Sequence, residues 1–189
     1  MQRTSLYAFL ARMQYVVLPG LIPKDECSLI LDEILAGEFS QAEPYVGKRN
    51  VEQRFFKTQL VQTEGKHLYT FKKIMRVQKV LTHAIGENIQ FNDFSVNRYF
   101  PGEVGIGVHR DNASFKNCIA LFLLRGQSNL YIHDDETGKN PKLVDAAVGD
   151  CILIRASGVG KSPYGPYHSV SNIKEERISL ALREKTFLP

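Results

Sequence analysis

Apolar residues in the first half of this chain recur at helical spacing, and in the second half they alternate with polar ones over short runs. Leu6, Phe9, Leu10 and Met13 fall on one helical face, and Tyr15-Val-Val-Leu18 is a short strand-like run closed by Pro19-Gly20. Pro23 opens a helix expected to reach about Ala36, with Ile30, Leu31, Ile34 and Leu35 on one face and Gly37 as its stop. Residues 51–62 have strand character. Thr63 is expected to cap a longer helix running to about Ile85, before Gly86. Its inner side would carry Phe71, Ile74, Met75, Gln78, Leu81 and Ile85, and its outer side Lys72, Lys73, Arg76 and Lys79.

From residue 91 the pattern predicts strands over 91–100, 105–111, 118–125, 128–134, 142–145, 150–155, 167–172 and 177–184. Gly126-Gln127 reads as a two-residue type II′ hairpin joining two of them, and Gly149-Asp150 turns the chain into Cys151-Ile-Leu-Ile154. So many short strands in one half imply a sandwich or jelly roll. With the helices that precede it, the expected class is α+β with a mainly β core. A chain of 189 residues, 43% of them hydrophobic, can bury one sizeable core, so a single domain over 1–189 is expected.

The cysteines Cys27, Cys118 and Cys151 are far apart, and the last two sit in apolar runs, which reads as buried thiols in a reducing compartment. No apolar run approaches the ~20 residues of a membrane span. Residues 1–24 hold Arg3, Arg12 and Lys24 but no acid, which resembles an organelle presequence; a short helix packed on the domain is the simpler reading. The expectation is a cytoplasmic monomer with no membrane attachment. The net charge of +4 is uneven, since Lys48–Lys79 holds nine bases against Glu52 and Glu64. Such a segment is a candidate polyanion-binding face, although charges at helical spacing are more simply a solvated side.

His109-Arg110-Asp111, followed by His168, supplies two imidazoles and one carboxylate. These form the facial ligand set that holds Fe(II) and leaves three coordination positions open. Two residues apart in a predicted strand, His109 and Asp111 would point the same way. No thiolate cluster lies nearby to suggest structural zinc. Arg177, nine residues beyond His168, is a fixed cation able to clamp a dicarboxylate. Simpler readings exist for several residues. Arg177 would be a surface base beside Glu175 and Glu176, Arg183 a partner of Glu184, Asn97 a strand-edge residue and Tyr99 a core aromatic. His67, His83 and His133 have no motif around them and read as surface or packing residues. Gly158-Val-Gly-Lys-Ser162 is not a phosphate-binding loop, because Arg155 stands where its first glycine belongs and Pro163 follows. It reads as a loop at the mouth of the site, where Tyr164 and Tyr167 would face a substrate or pack the loop.

Asn97-Arg-Tyr99, Pro101-Gly102, Gly107-Val-His-Arg-Asp111, Tyr167-His168 and Arg177-x-Ser-x-x-x-Arg183 together resemble the AlkB-like branch of the Fe(II)/2-oxoglutarate-dependent dioxygenases. The resemblance covers roughly residues 91–185. It implies a double-stranded β-helix (jelly roll) as catalytic core, with residues up to about 90 as helical support and lid. It makes His109, Asp111 and His168 the catalytic iron ligands. Arg177, Arg183, Asn97, Tyr99 and Ser179 become 2-oxoglutarate-binding residues, with Ser179 standing where the branch usually has Asn. The implied cofactors are Fe(II), 2-oxoglutarate and O2, and the implied reaction is hydroxylation of a C–H bond with release of succinate and CO2. On a nucleobase N-alkyl group that reaction removes the alkyl group as an aldehyde. Asn112-Ala113-Ser114 replace the acids that AlkB-type repair enzymes carry after the H-x-D. A small-molecule substrate, such as an amino acid or secondary metabolite, is therefore the alternative to alkylated nucleic acid. A binding domain that keeps the fold without the chemistry is a third reading.

Overall fold

A strand whose alternate residues differ in polarity can serve two environments, one on each side of a sheet. In the computed structural model, which describes residues 6–61, 66–86, 88–159 and 164–186, this principle organises the whole molecule. The first half supplies helices α1 (Leu6–Met13), α2 (Lys24–Leu35) and α3 (Leu68–Ile85). It also supplies five strands, β1 (Tyr15–Leu18), β2 (Ser40–Gln41), β3 (Tyr45–Val46), β4 (Val51–Arg54) and β5 (Phe56–Gln59). The second half supplies β6 (Asp93–Tyr99), β7 (Gly105–His109), β8 (Phe115–Arg125), β9 (Leu130–His133), β10 (Lys142–Leu143), β11 (Cys151–Arg155), β12 (Tyr167–Val170) and β13 (Arg177–Lys185). Each of the eight strands expected after residue 91 is present.

The strands form a seven-stranded sheet, β1-β11-β8-β13-β6-β5-β2, and a six-stranded sheet, β10-β9-β12-β7-β4-β3. All the strand pairings are antiparallel. The helices cover the outer face of the larger sheet. There Phe71, Ile74, Val77 and Leu81 of α3 share one core with Phe122, Leu153, Ile178, Leu180 and Leu182. The inner face meets the smaller sheet through a second core that includes Tyr99, Ile119, Ile132, Ile152, Ile154 and Val170. The result is three layers in a jelly-roll arrangement. The chain crosses between sheets at Phe55, so the strand character expected over 51–62 is carried by two strands, one in each sheet. Among the described residues no helix is long and apolar enough to cross a membrane.

Three local expectations are corrected. Gly126-Gln127 is not a hairpin, because β8 and β9 belong to different sheets and residues 126–129 carry the chain between them. Gly126 is needed for another reason: its φ is +80°, and a Cβ there would collide with the backbone of Glu176 and Arg177. On α3, Val77 is buried and Met75 is 47% exposed. A 100° step places Val77 about 60° from Ile74 and Met75 about 100° from it, beyond the apolar arc. Finally, α3 begins at Leu68, and Thr63 lies outside the described residues. The free amides of its first turn are met from another helix: Glu33 of α2 accepts from the Tyr69 amide (2.9 Å), the Thr70 amide (2.8 Å) and the Thr70 hydroxyl (2.8 Å). Burial opposes ionisation of Glu33, but these hydrogen bonds outweigh it and hold its carboxyl below the ordinary value.

Candidate active site

Pairing of β7 with β12 sets His109 directly opposite His168. Their rings lie 4.3 Å apart, centroid to centroid. Strand β7 ends at His109, so Asp111 is not in the strand as expected; it stands just past its end. From there an Asp111 carboxylate oxygen comes within 3.3 Å of His168 Nε2. One ligand atom from each of the three residues lies within 4.8 Å of the others. Cis ligands of an octahedral ion with bonds of about 2.1 Å are about 3 Å apart, a spacing the 3.3 Å Asp111–His168 pair nearly matches, and the three residues together could hold one divalent ion.

The backbone fixes which ring nitrogens face that point. His109 Nδ1 is 2.8 Å from the Gly107 carbonyl and His168 Nδ1 is 3.1 Å from the Pro166 carbonyl. A carbonyl oxygen only accepts, so each Nδ1 carries the proton and each Nε2 keeps a lone pair for a metal. Burial, and secondarily His168, push the His109 pKa down to about 4 against the opposing pull of Asp111 and the Gly107 carbonyl. Its ring is neutral at physiological pH, the form a metal requires.

Strand β13 supplies the second element. Ile178, Leu180 and Leu182 point into the helical core, while Arg177, Ser179, Ala181 and Arg183 line a cavity of about 1140 Å³ between the sheets, which also contains the His–Asp–His cluster. Arg177 is 1% exposed, so it is not a surface base beside Glu175 and Glu176. Its Nε donates to the Ser128 carbonyl (2.7 Å), one terminal nitrogen donates to Ser179 Oγ (3.0 Å), and its guanidinium lies 5.1 Å from the centre of the Tyr99 ring. No carboxylate of the described residues pairs with it. Glu176 is taken by Arg98 (2.6 Å) and Arg125 (2.6 Å) instead. Burial pushes the Arg177 guanidinium below its ordinary pKa and the Tyr99 phenol above its own. A buried cation with no counter-charge favours an anionic ligand.

The remaining expected residues divide. Tyr99 is buried, faces Arg177 across the strand pair, and its hydroxyl is 3.4 Å from Asn97 Nδ2; Asn97 lies opposite Ser179. All of these line the cavity. Arg183 lines it too, but pairs with Asp93 (2.7 Å) rather than Glu184, also donates to Ser95, and stacks on Phe115 at 4.7 Å. Glu184 instead accepts from Asn117 (2.7 Å). At the mouth, Arg110 lies over the ring of Tyr167 (3.9 Å) and near that of Tyr164 (5.4 Å); residues 160–163 of the glycine-rich loop lie outside the described residues. His133 is a packing residue: it accepts from Ser169 (2.8 Å) and donates to the Gly138 carbonyl (3.2 Å).

Sequence reasoning missed Lys57, Asp93, Ser95, the Ser128 carbonyl and Glu136. Glu136 pairs with Arg49 (3.1 Å) and accepts from the Tyr167 hydroxyl (3.3 Å), fastening the β3–β4 hairpin across the mouth. These contacts join residues far apart in the chain, and no local pattern marks them.

No family model and no curated protein matches the chain. Solved structures do. A prolyl-4-hydroxylase from Pseudomonas putida superposes with a TM-score of 0.66 at 14% identity, covering 96% of this chain and 97% of that one. A Trichoplax adhaerens prolyl hydroxylase, solved with a peptide of hypoxia inducible factor, gives 0.70 at 15% identity over 96% and 87%. An oxidoreductase of the 2OG-Fe(II) oxygenase family from Burkholderia pseudomallei gives 0.69 at 16% identity over 94% and 88%. The chain therefore has the double-stranded β-helix fold of these proteins.

Proposed function

We propose that this chain is a single-domain Fe(II)- and 2-oxoglutarate-dependent oxygenase that hydroxylates a substrate C–H bond. One observation carries the reading: the His109–Asp111–His168 cluster and the buried, carboxylate-free Arg177 share one cavity. Residues from about 91 to 185 form the catalytic core, and residues up to about 90 brace it and cover its mouth. The likeness in fold to 2-oxoglutarate oxygenases agrees with this.

Bound here, Fe(II) and 2-oxoglutarate supply the oxidation: O2 is consumed, 2-oxoglutarate leaves as succinate and CO2, and the substrate C–H becomes C–OH. His109, Asp111 and His168 hold the metal on one side. The Gly107 and Pro166 carbonyls keep both imidazoles in the ligating tautomer. Arg177 binds the distal carboxylate of 2-oxoglutarate, and Ser128 and Ser179 fix the plane of its guanidinium. Tyr99 walls off water behind it, and Asn97 presents an amide to the same bound molecule. Arg183, held by Asp93 and lining the same cavity, is the second arginine offered to 2-oxoglutarate.

Of the substrate classes, a small molecule is better supported than alkylated nucleic acid. Lys72, Arg76 and Lys79 of the basic segment are exposed on α3, whose buried side packs on the sheet face opposite the cavity. They form no phosphate track to the mouth. Anaerobic addition of Fe(II) and 2-oxoglutarate should produce the weak visible charge-transfer band of their chelate, and His109→Ala should abolish it. Absence of the band in the wild-type protein would overturn the oxygenase reading. A succinate-release screen then separates metabolites, alkylated oligonucleotides and proline-containing peptides.

A further inference from the structure

Charge balance inside the cavity says what kind of substrate it takes. In the proposed oxygenase, two positive charges on iron and one on Arg177 are cancelled by Asp111 and the 2-oxoglutarate dianion. Lys48, Lys57 and Arg110 also line the cavity, and none has a carboxylate partner among the described residues. Asp111 is the one carboxylate among the described residues that line the cavity, and the other two lining arginines pair with acids outside its walls, Arg49 with Glu136 and Arg183 with Asp93. The loaded site therefore retains three uncompensated cations.

Their placement separates them from the co-substrate. Lys57 of β5 lies opposite Asn97 of β6, and Asn97 lies opposite Ser179 of β13. Lys57 thus sits two strand spacings, about 10 Å, from the residue that holds Arg177. Gln59 and Ser95 occupy the next row of the same wall, paired in the same way and also facing the cavity. Arg110 closes the opposite side beside Asp111, stacked on Tyr167, and Lys48 is carried on the turn of the β3–β4 hairpin. That hairpin is fastened across the mouth through Arg49, Glu136 and Tyr167. All three line the one cavity that also holds the His–Asp–His cluster, with their side chains exposed on its open side.

We infer that the substrate is a small anion, bearing a carboxylate or a phosphate that Lys57 binds on the sheet wall while Lys48 and Arg110 close over it. The inference rests on the oxygenase reading but concerns a different part of the cavity, so the two can fail separately. The test is calorimetric, on protein loaded with 2-oxoglutarate and with Mn(II) in place of iron. The probes are N-acetylglutamate against N-acetylglutamine, phosphoserine against serine, and a single-stranded oligonucleotide. At least one anion should bind more tightly than its neutral partner by about tenfold or more. That preference should largely vanish in Lys57→Gln and survive in Lys72→Gln on α3. The stronger of the two anions identifies the group recognised. Equal binding of charged and neutral partners, no binding of either anion, or a preference that survives Lys57→Gln would each overturn the inference. So would tighter binding of the oligonucleotide, which would indicate a polyanion. Failure of 2-oxoglutarate itself to bind is the separate signature of a wrong oxygenase reading, and the same titrations without it then read the anion site directly.

Discussion

Replacing Arg177 by methionine should separate stability from binding. In the ligand-free protein Arg177 is 1% exposed and has no carboxylate partner among the described residues. Burying a charge costs several kcal/mol even after relaxation. Two hydrogen bonds, to the Ser128 carbonyl at 2.7 Å and Ser179 at 3.0 Å, return about 1.5–3 kcal/mol each. The Tyr99 ring at 5.1 Å returns about 0.5–2 kcal/mol more. These contributions nearly cancel, so Arg177→Met should change ligand-free stability by no more than about 1 kcal/mol, or about 2–4 °C in Tm. Binding has no such compensation. Losing the partner of a buried carboxylate costs about 2–5 kcal/mol, which weakens 2-oxoglutarate binding by about thirtyfold to several thousandfold. Thermal unfolding with and without 2-oxoglutarate and Mn(II) measures both quantities. A ligand-free Tm lowered by more than about 10 °C would make Arg177 a structural residue, and an unchanged ligand-induced shift would place the dicarboxylate elsewhere; either result refutes the reasoning.

A second prediction concerns pH. His109 has its pKa pushed from 6.5 to about 4, so the unfolded chain binds the extra proton between those values. Metal-free stability should therefore fall as pH drops from about 6.5 to 4, and urea titrations should show a smaller slope in His109→Ala. Mn(II) binding, followed by electron paramagnetic resonance, should extend to lower pH than an ordinary imidazole site allows. Glu33→Ala removes the carboxylate that caps α3 and should cost about 0.5–2 kcal/mol in urea denaturation, with 2-oxoglutarate affinity unchanged. Gly126→Ala should cost about 2 kcal/mol or more, because φ is +80° and the backbone beside Arg177 blocks a Cβ. It should also weaken 2-oxoglutarate binding, which calorimetry will detect.

The strands after residue 91 were legible because alternation is a local signal, and His109, Asp111, His168 and Arg177 because their residue types and short flanking motifs stand out even though His168 is far along the chain from His109. Sheet membership was not. The run from Arg125 to Leu130 looked like a hairpin, and only the three-dimensional crossing shows β8 and β9 in different sheets. The role of Arg183 depended on Asp93, which lies 90 positions away in the chain. Lys57 was merely one base in a basic segment until pairing with β6 set it on the cavity wall, whereas Lys72, with the same local appearance, faces solvent behind the larger sheet. The Glu33 cap was hidden for the same reason: its donors belong to another helix.

The two-faced character of β13 has a consequence for folding fidelity. A slip of one residue against β6 and β8 would drive Arg177 and Arg183 into the helical layer and turn Ile178, Leu180 and Leu182 toward the cavity. Two guanidinium groups would then sit among hydrocarbon side chains, a far larger penalty than the loss of a few contacts. The polar residues of the site thus act as alignment marks for the central strand. A well-packed but misaligned form has no refuge in this sequence, and a molecule that completes its core has already set its arginines in place.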